Sequence, residues 1–305
     1  MPVSASTRSV LLKKRVDQFT RVLRGVEKGD VRALHQLRVT TRRLRELLPV
    51  LQLDRRTARR LGRRLRKVTA RLGTVRELDV LLLLIDELHV SGRRGSTALG
   101  RVGVRVSKAR DHARKGLSVR LPVSDMARLA RKIHRIADDL RAAERATSKA
   151  AARTWRWRID SRVARRASRL SAAMSAAGAL YLPDRLHRVR LAVKKMRYAV
   201  ELSMEVDGKR SDADLLTLKR AQELLGRMHD VQLLIEEVRQ TQASLSPPSV
   251  NVWRDLDVLV ASLEDDCRRL HARYMRTRDD LEALAERRRD QLPPDTSRAP
   301  ARRAG

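Results

Sequence analysis

Two segments of the chain repeat the same unusual spacing of histidine and basic residues. The first is HQLRVTTRRLR, from His35 to Arg45, and the second is HRVRLAVKKMR, from His187 to Arg197. In each, Arg follows the His by three residues, two basic residues follow it by seven and eight, and Arg follows it by ten. Arginine binds phosphate through two parallel hydrogen bonds from its planar guanidinium, and lysine adds a mobile positive charge. The pattern therefore predicts recognition of phosphate groups.

A helix would place most of each pattern on one face. At about 100° per residue, the basic residues of the first segment that share this face fall within an arc of about 80°, and Leu37 and Leu44 lie near the opposite side of the helix. The two rows are His35, Arg38, Arg42 and Arg45, and His187, Arg190, Lys194 and Arg197. If the two helices face each other, the rows form a strongly positive groove. The alternative is that these arginines are solvated or pair with acids of neighbouring helices.

A Leu-Gly pair also recurs, at Gly73 and at Gly226, and an acid follows each glycine by four residues, Glu77 and Asp230. We interpret the pairs as turns and the acids as partners that hold arginines in place, with helix capping or simple exposure as alternatives. Basic residues that precede these glycines by six or seven positions would widen the positive surface. They are Arg66, Lys67, Lys219 and Arg220.

The histidines suggest a metal site only weakly. Neither His35 nor His187 has a second ligand four residues away, and the surrounding guanidinium groups would repel a divalent cation. An imidazole that donates to phosphate, or one that packs, fits better. The chain also lacks a nucleophile–base arrangement, a glycine-rich phosphate loop and an HExxH motif. We therefore expect a binding protein that is not an enzyme, with no metal and no cofactor.

The charge balance predicts a polyanionic partner. Lys and Arg number 69 against 36 acids, which gives a net charge of +33, and ordinary solubility does not require so much. The partner could be nucleic acid, an acidic membrane face or a phosphate polymer, whereas a solvated basic surface without a partner is the alternative. Aromatic residues are 2% of the chain, which leaves few platforms on which single-stranded bases could stack. No recognition-helix motif for duplex DNA is present.

The apolar residues predict an all-α fold. They make up 42% of the chain and are mostly Leu, Val and Ala, which suit long helices. Cys267 is the only cysteine, so an internal disulfide is impossible and a reducing compartment fits. The N-terminus has no secretory h-region, and the longest apolar run, Val80 to Ile85, is too short for a membrane span. We expect a cytoplasmic protein without membrane association.

Several landmarks recur at one period and divide the chain into two halves. Gly25 and Gly178 are 153 positions apart, as are Gly73 and Gly226, and the loops around Ser91 and Ser246 correspond at nearly the same offset. We predict two four-helix bundles related by internal pseudo-twofold symmetry, residues 1–150 and 151–290, followed by a disordered basic tail, 291–305. The predicted helices are 8–25, 30–53, 55–72 continuing through 74–89, 96–117, 122–148, 153–178, 183–206, 211–242 and 249–290.

The doubled basic segments, each followed by a Leu-Gly pair and an Arg-Glu or His-Asp pair, resemble the CHAD domain, the conserved histidine α-helical domain. The second segment also carries the Lys-Lys-Met-Arg-Tyr run, ending at Tyr198, that such domains usually show. The resemblance covers about residues 8–290. One departure is Glu77, where the family pattern leads us to expect Asp, but the charge is kept.

This resemblance implies two helical bundles that bind inorganic polyphosphate on the basic face between them. Transferred by position, the binding residues are the two rows given above, together with Arg43, Lys195, Arg66, Lys219 and Arg220. Many relatives carry a fused CYTH triphosphate-tunnel domain, but no strand-rich ExExK segment precedes residue 8, so triphosphate hydrolysis is not implied. We expect non-enzymatic polyphosphate binding, with targeting to polyphosphate granules as one use; the alternative is a helical nucleic-acid-binding protein.

Overall fold

Helices are the only regular secondary structure among the described residues. The computed structural model describes residues 7–90, 96–145, 149–208, 213–245 and 249–291, and no strand occurs among them. The α-helices are α1 Arg8–Glu27, α2 Val31–Leu47, α3 Arg55–Val90, α4 Ser96–Arg120, α5 Val123–Arg145, α6 Lys149–Ala177, α7 Pro183–Asp207, α8 Ala213–Ala243, α9 Val250–Met275 and α10 Arg278–Asp290. A short 3₁₀ helix, Leu48–Val50, follows α2. The predicted all-α fold is confirmed.

The helices that carry the basic rows begin at residues suited to helix ends. The side chain of Asp30 caps α2 by accepting a hydrogen bond from the backbone N–H of Arg32 at 2.9 Å. Helix α7 begins with Pro183, whose missing N–H costs nothing in a first turn. Gly208 ends α7 in the left-handed conformation that glycine adopts without strain.

Two of the predicted helices are longer than the helices in the structure. The helix predicted over 30–53 ends at Leu47, because Pro49 lacks the N–H that would continue the α-helical hydrogen bonding. The helix predicted over 249–290 is two helices that meet at Arg276 and Thr277. There the hydroxyl of Thr277 donates to the carbonyl of Tyr274 at 2.8 Å.

Three of the four glycines of the repeat lie inside helices, where the sequence interpretation had placed turns or a helix end. The Leu-Gly pairs are not turns, because α3 passes through Gly73 and α8 passes through Gly226 without a break. Gly25 does not close the first helix either, since α1 continues to Glu27. Gly178 does follow the end of α6, in the left-handed conformation.

Two hydrophobic cores organise the helices. One is built by α1, α2, the first part of α3 and α5, and the other by the last part of α3, the start of α4 and helices α6 to α10. Helix α3 joins them, because Leu65 lies in the first core and Leu84 in the second. The second half of the chain also contributes to the first core, through Trp155 and Leu202.

The two cores do not coincide with the two halves of the sequence repeat, because α3 contributes to both cores and the second half of the chain contributes to the first core. The pseudo-twofold relation and the boundary at residue 150 stay predictions. The two loops used to define the repeat, around Ser91 and Ser246, and residues 292–305 of the predicted tail lie outside the described residues.

The cores fix the two helices that carry the basic rows. Helix α2 packs between α1 and α3, α7 packs between α6 and α8, and α2 and α7 contact each other. Leu37 and Leu44 of α2 are fully buried in one core, and Val189 and Val193 of α7 are fully buried in the other. Each apolar stripe thus sets the rotation of its helix, and with it the direction of the basic row.

We predict that replacing Gly25 separates two helices of the first core. A Cβ atom at this position would lie 2.6 Å from the Cβ of Ala33 in α2, so Gly25→Ala forces α1 and α2 apart and should lower the free energy of unfolding by about 1–3 kcal/mol. Urea denaturation measures the loss. As a control, Gly100→Ala in α4 meets no atom within 4 Å and should raise stability by up to about 1 kcal/mol. Equal stability of Gly25→Ala and the wild type would contradict the close contact.

Candidate functional site

The two basic rows meet where α2 and α7 come together. Arg38 and Arg42 on α2 interact electrostatically with Arg190 and Lys194 on α7. The structure therefore brings the central members of both predicted rows to one place. We call these four residues the central cluster.

Burial and like charge act together on the central cluster. Removal from water, followed by repulsion from Arg42 and Arg190, lowers the pKa of Lys194 to about 7. Burial and the charge of Arg42 lower the pKa of Arg38 to about 10, although Glu77 acts in the opposite direction. Such shifts mean that the free protein holds these charges at an energetic cost. A negative charge placed among them would remove much of that cost.

The acids near the central cluster leave part of its hydrogen-bonding capacity unused. The nearest atoms of Glu77 and Arg38 are 3.9 Å apart, which is too long for a hydrogen bond. Among the described residues, Nη1 of Arg38 and Nε of Arg190 are buried without a hydrogen-bond partner. Asp230 attracts Arg190, but burial raises the pKa of this carboxyl group. Glu77 and Asp230 were predicted to hold arginines in place; they attract Arg38 and Arg190, but a buried nitrogen of each arginine has no hydrogen-bond partner.

Gly73 leaves room for the guanidinium of Arg38. A Cβ atom at position 73 would lie 3.0 Å from Nη1 of Arg38, which is tighter than ordinary packing. The glycine thus lets the arginine of α2 lie directly against the backbone of α3. At Gly226 a Cβ atom would meet nothing within 4 Å, so the equivalent glycine has no such role.

A surface cavity of about 570 Å³ continues from the central cluster. Helices α2, α3, α6 and α7 all contribute to it, and Tyr198 lies in its wall. We call it the flanking cavity. Its basic residues are Arg42, Arg45, Arg59, Arg66, Arg162, Arg166, Lys194 and Lys195. The sequence prediction named Arg45, Arg66 and Lys195 but missed Arg59, Arg162 and Arg166.

A buried carboxylate positions the two α6 arginines in this cavity. Glu46 accepts hydrogen bonds from Nε of Arg162 at 2.6 Å and from Nη2 of Arg166 at 3.0 Å. Burial alone would raise the pKa of Glu46, but the hydrogen bonds and charges of both arginines outweigh it and hold the pKa below its ordinary value. Glu46 therefore stays ionised and anchors both guanidinium groups.

The histidines of the two rows have different surroundings. His35 is exposed on α2, and its pKa is lowered by burial of part of the ring and by Arg76. The Nδ1 atoms of His187 and His229 are 3.4 Å apart, a pair that the sequence analysis missed because it joins α7 to α8. Burial, with the charge of Arg190, lowers the pKa of His229 to about 3. No group of three metal-ligating side chains forms among the described residues.

Four of the predicted binding residues lie away from the central cluster or are engaged by acids. Arg43 and Arg197 both pair with Glu201, at 3.4 and 2.5 Å, and Arg197 also donates to Gln222 at 2.8 Å. Arg220 lines a separate cavity with Arg227, Arg273 and Arg276, and Lys219 is exposed on the same helix. Neither of these α8 residues lines the flanking cavity.

No helix in the described ranges has the length and apolar character required to cross a bilayer.

None of the curated protein sequences matches the chain significantly.

Solved structures share the fold along nearly the whole chain. The CHAD domain of the plant Ricinus communis is 22% identical, with a TM-score of 0.60, over 96% of this chain and 95% of the other. PptA from Streptomyces chartreusis is 20% identical, with a TM-score of 0.57, over 94% of this chain and 99% of the other. The family model of the CHAD domain matches residues 10–239. The sequence resemblance is thereby confirmed: the chain belongs to the CHAD domain family.

Proposed function

We propose that the protein binds inorganic polyphosphate, without cleaving it, along a groove formed by the central cluster and the flanking cavity. The observation that carries this proposal is the mutual repulsion of half-buried cations contributed by both repeated segments. A bound polyanion would reverse this repulsion, because each cation would then lie beside negative charge. Membership of the CHAD family supports the same function.

The length of the basic row favours a polymer over a single phosphate. Between His35 and Arg45 the helix rises by about 15 Å, at about 1.5 Å per residue, and the flanking cavity adds basic residues from two further helices. One phosphate group can reach only part of this surface. A linear chain with charge on every phosphate can contact all of it.

The same surface offers little to a nucleobase. The flanking cavity has one aromatic wall residue, Tyr198. This residue is only 7% exposed, and the guanidinium of Arg197 lies 4.8 Å from the centre of its ring. Stacking requires an accessible ring face, so the contacts available here are to phosphate. This favours polyphosphate over the nucleic-acid alternative.

The acid in the wall of the flanking cavity, Glu46, favours binding over catalysis. Glu46 is engaged by two guanidinium groups, so it is not free to accept a proton from an attacking water. Incubation with long-chain polyphosphate should therefore release no phosphate and shorten no chains.

We predict that long-chain polyphosphate displaces duplex DNA from the protein. A flexible chain can follow a curved cationic groove, whereas a stiff duplex must be bent at a cost of several kcal/mol. The measurement is competition between the two polymers at equal phosphate concentration and fixed salt, followed by the anisotropy of labelled DNA. Equal or stronger binding of DNA at physiological salt would favour the nucleic-acid function.

We predict that the central cluster contributes far more to binding than its share of the net charge. The variant with Arg38, Arg42, Arg190 and Lys194 all changed to Ala removes four charges from +33. Each charge-assisted hydrogen bond contributes about 1.5–3 kcal/mol, so polyphosphate affinity should fall at least about a hundredfold and its salt dependence should flatten.

The matched control removes four exposed cations with no ion pair among the described residues, Lys13, Arg21, Arg153 and Arg254. Its affinity should change only a few-fold, as titration calorimetry at several salt concentrations would show. Circular dichroism and thermal melting establish that both variants are folded. Similar losses in the two folded variants would refute the site, although not polyanion binding as such.

We predict that Lys194 makes binding depend on pH. Its pKa in the free protein is about 7, and a bound polyanion must raise that pKa because it favours the charged amine. Between the two values binding takes up a proton, so affinity should fall as pH rises above neutral, by up to about tenfold per pH unit. Lys194→Arg stays charged and should lose this part of the dependence, whereas Lys195→Arg should keep it. Identical pH profiles for wild type and Lys194→Arg would contradict the assignment.

A further inference from the structure

The first part of α3 carries more positive charge than the groove uses. Ten basic residues and no acid lie between Asp54 and Glu77. Eight of the ten are exposed: Arg55, Arg56, Arg59, Arg60, Arg63, Arg64, Arg66 and Lys67. Such a density of unpaired charge on one helix is repulsive. The groove accounts for only Arg59 and Arg66 among these.

A second cavity lies on the other side of the same helix. It has a volume of about 230 Å³ and lies between α3 and the junction of α4 with α5. Helical geometry places the α3 residues of this cavity about 170° from those of the flanking cavity. We call it the α3–α5 cavity. Its basic residues are Arg64, Lys67, Arg71, Arg120 and Arg128.

The α3–α5 cavity is strongly positive and largely unneutralised. Asp125 is the one acid in its wall, and it pairs with Arg128 at 2.6 Å. Within the described residues, no ion pair engages Arg64, Lys67, Arg71 or Arg120. Its floor is apolar, since Val68, Met126 and Leu129 are buried in the first core. The basic side chains therefore surround a concave surface.

Helix α5 brings further positive charge to the same region. Lys132 is exposed, and repulsion from Arg60, followed by a small effect of burial and then by Arg64 and Arg135, lowers its pKa. Basic residues of α3 thus repel Lys132 of α5, and Asp54 offsets only part of that repulsion. Two helices that approach in this way create a site for an anion rather than a contact that stabilises the free protein.

An exposed basic arc of α3 connects the two cavities. Viewed along the helix axis, Arg59 lies on the groove side and Arg64 lies on the opposite side, with Arg63 and Arg60 between them. All four side chains are exposed. A helix with its side chains is about 10–12 Å across. A flexible phosphate chain that leaves the flanking cavity can therefore pass over this arc and stay in contact with cations throughout.

We infer that the α3–α5 cavity is a second phosphate-binding site, which takes a further stretch of a long polyphosphate chain whose first stretch lies in the groove. The inference rests on the proposed function, and it adds that the protein prefers long chains to short ones. A short chain can occupy only one of the two sites, whereas a long chain gains the second contact without a second association step.

The test is a variant of the second site alone, with Arg64, Lys67 and Arg71 changed to Ala. Its matched control carries the same loss of three charges at Arg21, Arg153 and Arg254. Calorimetry with tripolyphosphate measures binding at a single site. Calorimetry with long-chain polyphosphate measures binding at both sites together. A parallel variant with Gln at the three positions keeps the side-chain stems, so that packing losses are separated from charge losses.

We expect the second-site variant to bind long chains at least about tenfold more weakly, with a salt slope smaller by about two, because three phosphate contacts are lost. Tripolyphosphate affinity should stay within about twofold of wild type, and the control should behave as wild type with both ligands. Long-chain affinity equal to wild type would overturn the second site and leave the groove proposal standing. Failure of the wild type to bind either polyphosphate would instead refute the proposed function.

Two further outcomes would also overturn the inference. Equal weakening of tripolyphosphate and long-chain binding would show that these residues act on the groove. Loss of duplex DNA binding with unchanged polyphosphate binding would assign the α3–α5 cavity to nucleic acid.

Discussion

Repulsion among four half-buried cations at the contact of α2 with α7 is the interaction on which the proposed binding surface depends. The free chain can hold Arg38, Arg42, Arg190 and Lys194 together only because both helices are anchored elsewhere. Leu37 and Val189, with their neighbours, are fully buried in separate cores, and each such side chain contributes about 1.5–3 kcal/mol. The apolar faces thus supply the free energy that keeps the charged faces close.

The acids of the same region determine which cations remain available. Glu205 pairs with Lys14 and Arg15, Glu201 pairs with Arg43 and Arg197, and Glu46 pairs with Arg162 and Arg166. These pairs hold the surroundings of the groove in place. The central cluster has only partial compensation from Glu77 and Asp230. The division between satisfied and unsatisfied cations therefore separates the scaffold from the proposed binding surface within one basic protein.

Helical periodicity was sufficient to predict the α-helical fold and the basic rows, because both depend on residues close in sequence. It could not identify Arg162 and Arg166, since only the tertiary contact between α6 and Glu46 brings them to the groove. The sequence interpretation also placed a turn at Gly73, because glycine usually marks a break in a helix. The close approach of Arg38 explains that glycine instead. Likewise, the pairing of Arg43 and Arg197 with Glu201 requires α2 and α7 to meet.

The two repeats differ at the centre of the groove, where Arg42 of the first corresponds to Lys194 of the second. This difference has a physical consequence, because arginine keeps its proton under all ordinary conditions and lysine can lose it. With a pKa of about 7, Lys194 lets the empty groove shed one charge near neutral pH and so reduces the repulsion that α2 and α7 must withstand. A bound polyanion would restore that charge. A second arginine at this position would hold the ligand as well, but the empty protein would bear the whole electrostatic cost.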